Sequence, residues 1–275
     1  MIHENLKKIY LILPPKLAKF AKNFYYNEFN KTMWMPRNIL VSTLRPFLES
    51  GKIDNINILE QKFYSQSGED GIIKTIFNKI KTTNKFCIEF GIHSDQGNTI
   101  YLKKKKWKCL WMDGNGDGKL IKKEFITAEN IESIFKKYNA PREPDLLSID
   151  IDSNDYWIWK AIKNYKPRVI VIEYNSSIPP TESKAIKYDT NFKFDKTDYY
   201  GGSLLAMQKL GKEKDYTLIA CNRIGVNAFF IRNDLIKNNF KIKNIKQIYR
   251  PPKYGLRVNG KPIGYPKSKK QMINI

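Results

Sequence analysis

Apolar positions recur along this chain with two different spacings. At Ile72, Ile73, Ile76, Phe77 and Ile80 they fall three and four residues apart, as on a helix with one buried face. Elsewhere they form short unbroken runs, as in strands covered on both faces. FCIEF (Phe86–Phe90), 107–112, 146–151, 169–174, 217–221 and NAFFI (227–231) are such runs, with a weaker third strand expected at 125–127. Helices are expected at about 130–138, just after Asp152, and at about 203–214. Strands alternating with helices predict an α/β domain built on a mostly parallel sheet. The last two strands lie close together, joined by the turn Asn222-Arg223-Ile224-Gly225, so one of that pair is expected to run in reverse.

This alternation occupies residues 61–240. Before it, residues 1–60 carry helical signals, a Pro14-Pro15 break and many aromatic residues: Phe20, Phe24, Tyr25, Tyr26, Phe29 and Trp34. They are read as a helical N-terminal extension that caps the main domain, with an amphipathic surface helix as the other reading. After it, 241–275 is expected to be a basic, irregular tail. No run reaches the roughly 18 apolar residues of a membrane span. The early apolar stretch YLILPP has no small-residue cleavage site after it, so it is read as retained. A cytoplasmic protein, at most peripheral to a membrane, is the expectation. Cys87, Cys109 and Cys221 sit at no metal-like spacing and read as reduced core thiols.

Charge changes this picture only in part. The formal net charge is +22, a field that attracts polyanions. Yet 41 of the 49 basic residues are Lys and 8 are Arg, whereas nucleic-acid readers favour the arginine fork. Compositional bias explains this balance. A phosphate-bearing substrate or a membrane surface fits it as well as nucleic acid does.

Chemistry gathers at the strand ends, where open α/β sheets place their ligands. The first strand ends in Glu89-Phe90-Gly91 and the second in Asp113, 24 positions after Glu89. Asp150 and Asp152 stand at the end of the strand at 146–151, and Glu173 and Asn175 end the next. A glycine after the first strand lets backbone approach a nucleotide, and an acid after the second can accept ribose hydroxyls. Neither G-x-G-x-x-G nor a phosphate-binding G-x-x-x-x-G-K-[ST] loop is present. The run Asp113–Gly118 with Glu124 matches a calcium-loop pattern formally, but it follows a strand and not a helix. Asp150, Asp152, Glu173 and His93 are the candidates for activating a hydroxyl. The same carboxylates suit Mg²⁺ or Mn²⁺, so base and metal both stay open.

The ordered blocks SQSGEDGII (65–73), FCIEFG (86–91), Asn98-Thr99, WKCLWMDGN (107–115), ITAENI (126–131), DLLSIDIDSNDYWIW (145–159), PRVIVIEYN (167–175), GGSLLAMQKLGKEKDYTLIACN (201–222) and GVNAFFIRNDL (225–235) resemble the FkbM-like family of S-adenosylmethionine-dependent methyltransferases. Asp95 stands where family members usually carry a second glycine. The resemblance implies a Rossmann-like methyltransferase fold with a reversed final strand. It implies methyl transfer to a hydroxyl, often on a sugar of a glycan or a nucleotide-linked sugar. By position, Glu89, Gly91, Asn98, Thr99, Asp113, Gly114 and the turn at Ala128, Glu129 and Asn130 would hold the cofactor, with Asp150 beside it. The box containing Gln66, Ser67, Glu69 and Asp70 would lie over its methionine end, or serve as a helix N-cap led by Ser67. Asn175, Tyr199, Tyr200 and Ser203 would shape the acceptor pocket. Two other classes remain: a nucleic-acid methyltransferase or binder, and a non-catalytic Rossmann-like module.

Overall fold

The computed structural model describes residues 34–92 and 96–275. The chain divides into two units between Ser50 and Gly51. In the first, α1 (Trp34–Leu48) carries an ion pair from Arg45 to Glu49, one turn on, at 2.6 Å. The aromatic-rich stretch before Trp34 lies outside the described residues. Among the described residues, no helix is long and apolar enough to cross a membrane.

In chain order the second unit contains α2 (Glu69–Ile80), β1 (Phe86–Phe90), α3 (Ile100–Lys104), β2 (Lys108–Asp113), β3 (Ile121–Lys123), α4 (Ile131–Lys137), β4 (Leu146–Ile149) and α5 (Asp155–Ala161). It continues with β5 (Val169–Glu173), β6 (Lys184–Ala185), α6 (Leu204–Glu213), β7 (Tyr216–Cys221), β8 (Asn227–Arg232), α7 (Asn233–Ile236) and α8 (Ile245–Ile248). Three two-residue strands close the chain: β9 (Arg257–Val258), β10 (Lys261–Pro262) and β11 (Ile273–Asn274).

Seven strands form one sheet in the order β3-β2-β1-β4-β5-β8-β7. Neighbours are parallel except β8, which is antiparallel to both β5 and β7. This is the Rossmann-like methyltransferase topology, with the reversed strand where the short 222–225 connection placed it. The unbroken runs are explained by burial. Every residue of LLSI in β4 and VIVIE in β5 is buried, because helices cover both faces. Trp159 of α5 packs on Phe230 of β8 with ring centroids 4.8 Å apart. Gly211 lets α6 lie against that same ring, since a Cβ there would sit 2.9 Å from Phe230 Cε1.

The third strand is displaced from its expected place. It forms at Ile121–Lys123, and Phe125 is exposed. Asp117 Oδ1 accepts the N–H groups of Lys119 and Ile121, closing the glycine-rich turn early and starting the strand at once. Ile121 then supplies the strand's buried side chain. Cys87 and Cys109 face each other in register across β1 and β2, and all three cysteines are free thiols.

The segment after Phe240 is short of regular structure but docked on the unit. β11 pairs with β6, Tyr174 Oη donates to the Arg250 carbonyl at 2.7 Å, and Tyr249 Oη donates to that of Ser176 at 2.6 Å.

Candidate active site

β4 and β5 lie side by side with Ile149 opposite Ile172. Their C-terminal ends therefore deliver Asp150, Asp152 and Glu173 to one place, where one oxygen from each lies within 4.8 Å of the others. Asp152 is exposed, Asp150 half-buried, and Glu173 only 7% exposed. Glu173 Oε2 is buried and has no hydrogen-bond partner. Burial, then the charges of Asp152 and Asp155, pushes the Asp150 carboxyl well above the usual range. Burial, then Asp150 and Asp152, does the same to Glu173. Two unit charges at that separation repel by on the order of 3 kcal/mol at an effective dielectric of about 20.

The loop that carries the two aspartates is held from below. Asp155, fully buried, accepts Ile151 N–H at 2.9 Å and Ser153 N–H at 3.0 Å, and burial lifts its carboxyl to about 6. This fixes Asp152 in a left-handed backbone conformation, φ +54°, which turns the chain at the mouth of the cluster. Asp155 was missed in the sequence. The signal available was an Asp two and four residues after the amides it binds.

The expected cofactor half is built around Glu89. Its Oε1 accepts Asn98 N–H at 2.7 Å, and its Oε2 accepts the Thr99 N–H at 2.9 Å and the Thr99 hydroxyl. Trp111 Nε1–H in turn donates to Thr99 Oγ1 at 2.7 Å. Glu89 thus shapes the loop after β1, and burial pushes its carboxyl up to about 7. Gly91 adopts φ +71°, and a Cβ there would fall 1.5 Å from the Asp150 carbonyl oxygen, so only glycine lets the β1 turn pass the end of β4. Asp113 and Gly114 lie at the end of β2, with Asp113 Oδ1 accepting Asn115 N–H at 2.6 Å. His93, together with Asp95, lies outside the described residues.

The 65–70 box serves the backbone. Gly68, at φ +102°, is the N-cap of α2, and no side chain caps the helix, so Ser67 does not play that part. Asp70 Oδ2 accepts the N–H groups of Phe63, Tyr64 and Ser65 at 2.7 to 2.9 Å. Glu69 Oε2 takes Ser67 N–H, while its Oε1 accepts the Asn222 and Asn227 amides from the β7–β8 turn. Gln66 is exposed. In the 128–130 turn, Asn130 Oδ1 accepts Thr127 N–H, and Glu129 accepts the Tyr188 hydroxyl.

On the expected acceptor side, Asn175 and Ser203 hydrogen-bond to neighbouring segments of the chain. Asn175 Nδ2 donates to the carbonyls of Asp198 and Tyr200, and its Oδ1 accepts Ser177 N–H. Ser203 caps α6 through Ala206 N–H and also accepts Lys184 N–H. Tyr200, whose hydroxyl is pushed up by burial and then by the charge of Glu173, packs with three aromatic residues the sequence did not single out. Its hydroxyl shares a 2.6 Å hydrogen bond with that of Tyr254, and Phe194 and Tyr265 pack on its ring. The Tyr265 hydroxyl is pushed up by partial burial, then by the charges of Glu173, Asp152 and Asp150. Nothing in the local pattern marks Tyr254 or Tyr265, which come from the aperiodic C-terminal segment. Asp198 and Tyr199 also line a cavity of about 530 Å³ with Ser177, Lys184, Lys267 and Lys270.

The formal calcium-loop pattern does not assemble. Glu124 Oε1 is taken by Lys137 Nζ and Tyr138 Oη, each at 2.6 Å, and Asp117 is committed to its own turn. Among the described residues, the only grouping of three or more metal-ligating side chains is Asp150, Asp152 and Glu173. A scan against protein-family models gives no match, and a search of curated proteins gives no related sequence.

Proposed function

We propose that this chain is an S-adenosylmethionine-dependent O-methyltransferase acting on a hydroxyl of a sugar. The observation that carries the reading is the carboxylate cluster of Asp150, Asp152 and Glu173 on the C-terminal edge of a methyltransferase-type sheet, next to the Gly91 turn. The resemblance to the FkbM-like family, carried by the blocks between Ser65 and Leu235, points the same way.

The residues present fit the cofactor. The Gly91 turn keeps the ends of β1 and β4 clear of side chains, and Glu89 holds the loop that follows in a fixed shape. Asp113 commits one oxygen to its own turn, leaving the other for a ribose hydroxyl. Asp70 and Glu69 stiffen the segment that would cover the methionine end. When bound, S-adenosylmethionine supplies a methyl group on a sulfonium, which an oxygen displaces in line.

The chain's own task is to place that oxygen and remove its proton. Asp152 stands at the exposed mouth, where it hydrogen-bonds the entering hydroxyl. Glu173 and Asp150 lie behind it and complete the carboxylate edge that the hydroxyl faces. Packed around the buried Tyr200, the half-buried Tyr254, Tyr265 and Phe194 present rings and hydroxyls together, a surface suited to a sugar's apolar faces and polar rim. The 530 Å³ cavity beside Tyr199 has room for a further part of the acceptor.

Calorimetric titration tests the cofactor first. Binding of S-adenosylmethionine and of its demethylated product is expected. No binding of either would leave a non-catalytic module. A panel of sugars and glycans, scored by release of the demethylated cofactor, then tests the acceptor class.

A further inference from the structure

The carboxylate cluster has a property that acceptor binding alone does not require. Glu173 is more than nine-tenths buried, one of its oxygens has no partner, and its carboxylate points into a group of two more carboxylates. Among the described residues, the charges that bear most strongly on Asp150 and Glu173 are negative: Asp152, Asp155, Glu89 and Glu69 around Asp150, and Asp150, Asp152 and Asp155 around Glu173. In a chain of net charge +22, no lysine or arginine pairs with Asp150 or Glu173 among the described residues. A buried carboxylate normally has a cation or amide donors beside it.

We propose that Asp150, Asp152 and Glu173 bind a hard divalent cation of the Mg²⁺ and Mn²⁺ class, which the acceptor's hydroxyl joins as a further ligand. The donor set is all oxygen, as such ions require. Distances support it. In an octahedral site with bonds of about 2.1 Å, neighbouring ligands lie about 3 Å apart and opposite ones about 4.2 Å. The three oxygens, within 4.8 Å of one another, need only small side-chain rotations to close on such an ion. Three protein ligands leave room for waters and one substrate oxygen, and the exposed position of Asp152 gives the entry path. The cation would lower the pKa of the acceptor hydroxyl and fix its direction. This rests on the methyltransferase reading for its purpose but not for its test.

The test uses Mn²⁺ and the whole chain without S-adenosylmethionine, following the paramagnetic resonance signal of free Mn²⁺. One equivalent is expected to be taken up. Asp152→Asn and Glu173→Gln are each expected to weaken uptake at least tenfold, and Glu124→Gln to leave it unchanged. Should Glu173→Gln not fold, the exposed Asp152→Asn carries the test. Undiminished free signal at millimolar Mn²⁺, equal uptake by the two cluster variants, or loss in Glu124→Gln would each overturn the proposal. Cofactor calorimetry on the same samples separates the two readings: Mn²⁺ uptake without cofactor binding keeps the site and removes the methyltransferase.

Discussion

β4 and β5 are flanked by charged residues at both ends, and the two ends treat them in opposite ways. At the N-terminal end, Asp145 is fully buried and every demand is met. Arg168 donates to it at 2.6 Å, and the N–H groups of Thr83, Asn84 and Lys85 point at the same carboxylate. Arg168 also donates to the carbonyls of Ile80 and Lys81, closing the α2 end onto the sheet. At the C-terminal end, some four residues along each strand, Asp150 and Glu173 have no such partners, and repulsion remains. A buried charge that serves structure is surrounded by donors, because leaving it bare costs several kcal/mol. The bare carboxylates at the strand ends are what the proposed cation would answer. Glu89 and Asp155 belong with Asp145 in this respect, since backbone amides hold their carboxylates, and Asp70 does so through one oxygen, its Oδ2.

Paired substitutions at the two ends of these strands give the largest contrast. Asp145→Ala strands Arg168 and three amides, so urea denaturation is expected to show a loss of about 3–5 kcal/mol. Glu173→Gln removes repulsion and no hydrogen bond to its Oε2, so stability should hold or rise while turnover falls by about 10²–10⁴-fold. A Glu173→Gln variant that unfolds easily but still turns over would erase the distinction.

The donor-rich carboxylates make a second, smaller prediction. Asp70 and Glu89 titrate in the folded chain near 6 and 7, raised first by burial. Their unfolded values are about 3.9 and 4.3. Between these limits the native state holds protons that the unfolded chain has released, so stability falls as pH rises from about 4 to about 7 and levels off above. The unpartnered Oδ1 of Asp70 is the oxygen free to carry its proton. Urea midpoints measured across that range should decline, and Asp70→Asn should flatten the lower half. At about 1.4 kcal/mol per unit, Asp70 contributes at most about 3 kcal/mol. A midpoint that climbs through this window would contradict the assignment.

The smallest effect is expected at the aromatic wall. Tyr265→Phe removes one hydroxyl near the carboxylates and leaves the ring contacts to Tyr200 and Tyr254. A rise in acceptor KM of about 2–10-fold, equal to one neutral hydrogen bond, is expected with an unchanged melting temperature. An unchanged KM would take Tyr265 out of the acceptor site.

Much of this was legible in the residues. Unbroken apolar runs such as VIVIE can only be central strands here, and the five residues between Cys221 and Asn227 are too few for a parallel crossover, so β8 had to reverse. Asp150, Asp152 and Glu173 could be grouped because strand ends in a parallel sheet share an edge. The local pattern failed where side chains answer to distant partners. Asn175 and Ser203 look like pocket residues in sequence, yet their donors and acceptors are spent on Tyr200 and Ala206. Tyr254 and Tyr265 carry no periodicity because loops docked on a sheet need none.

The sequence by itself determined the strand order's ingredients, the reversal and the list of carboxylates, because burial and chain length are local constraints. Only the tertiary structure decided which carboxylates are satisfied. That depends on where backbone amides and Arg168 arrive from elsewhere in the chain, and it separates Asp145, Glu89 and Asp155, held by the fold, from Asp150 and Glu173, left open at its edge.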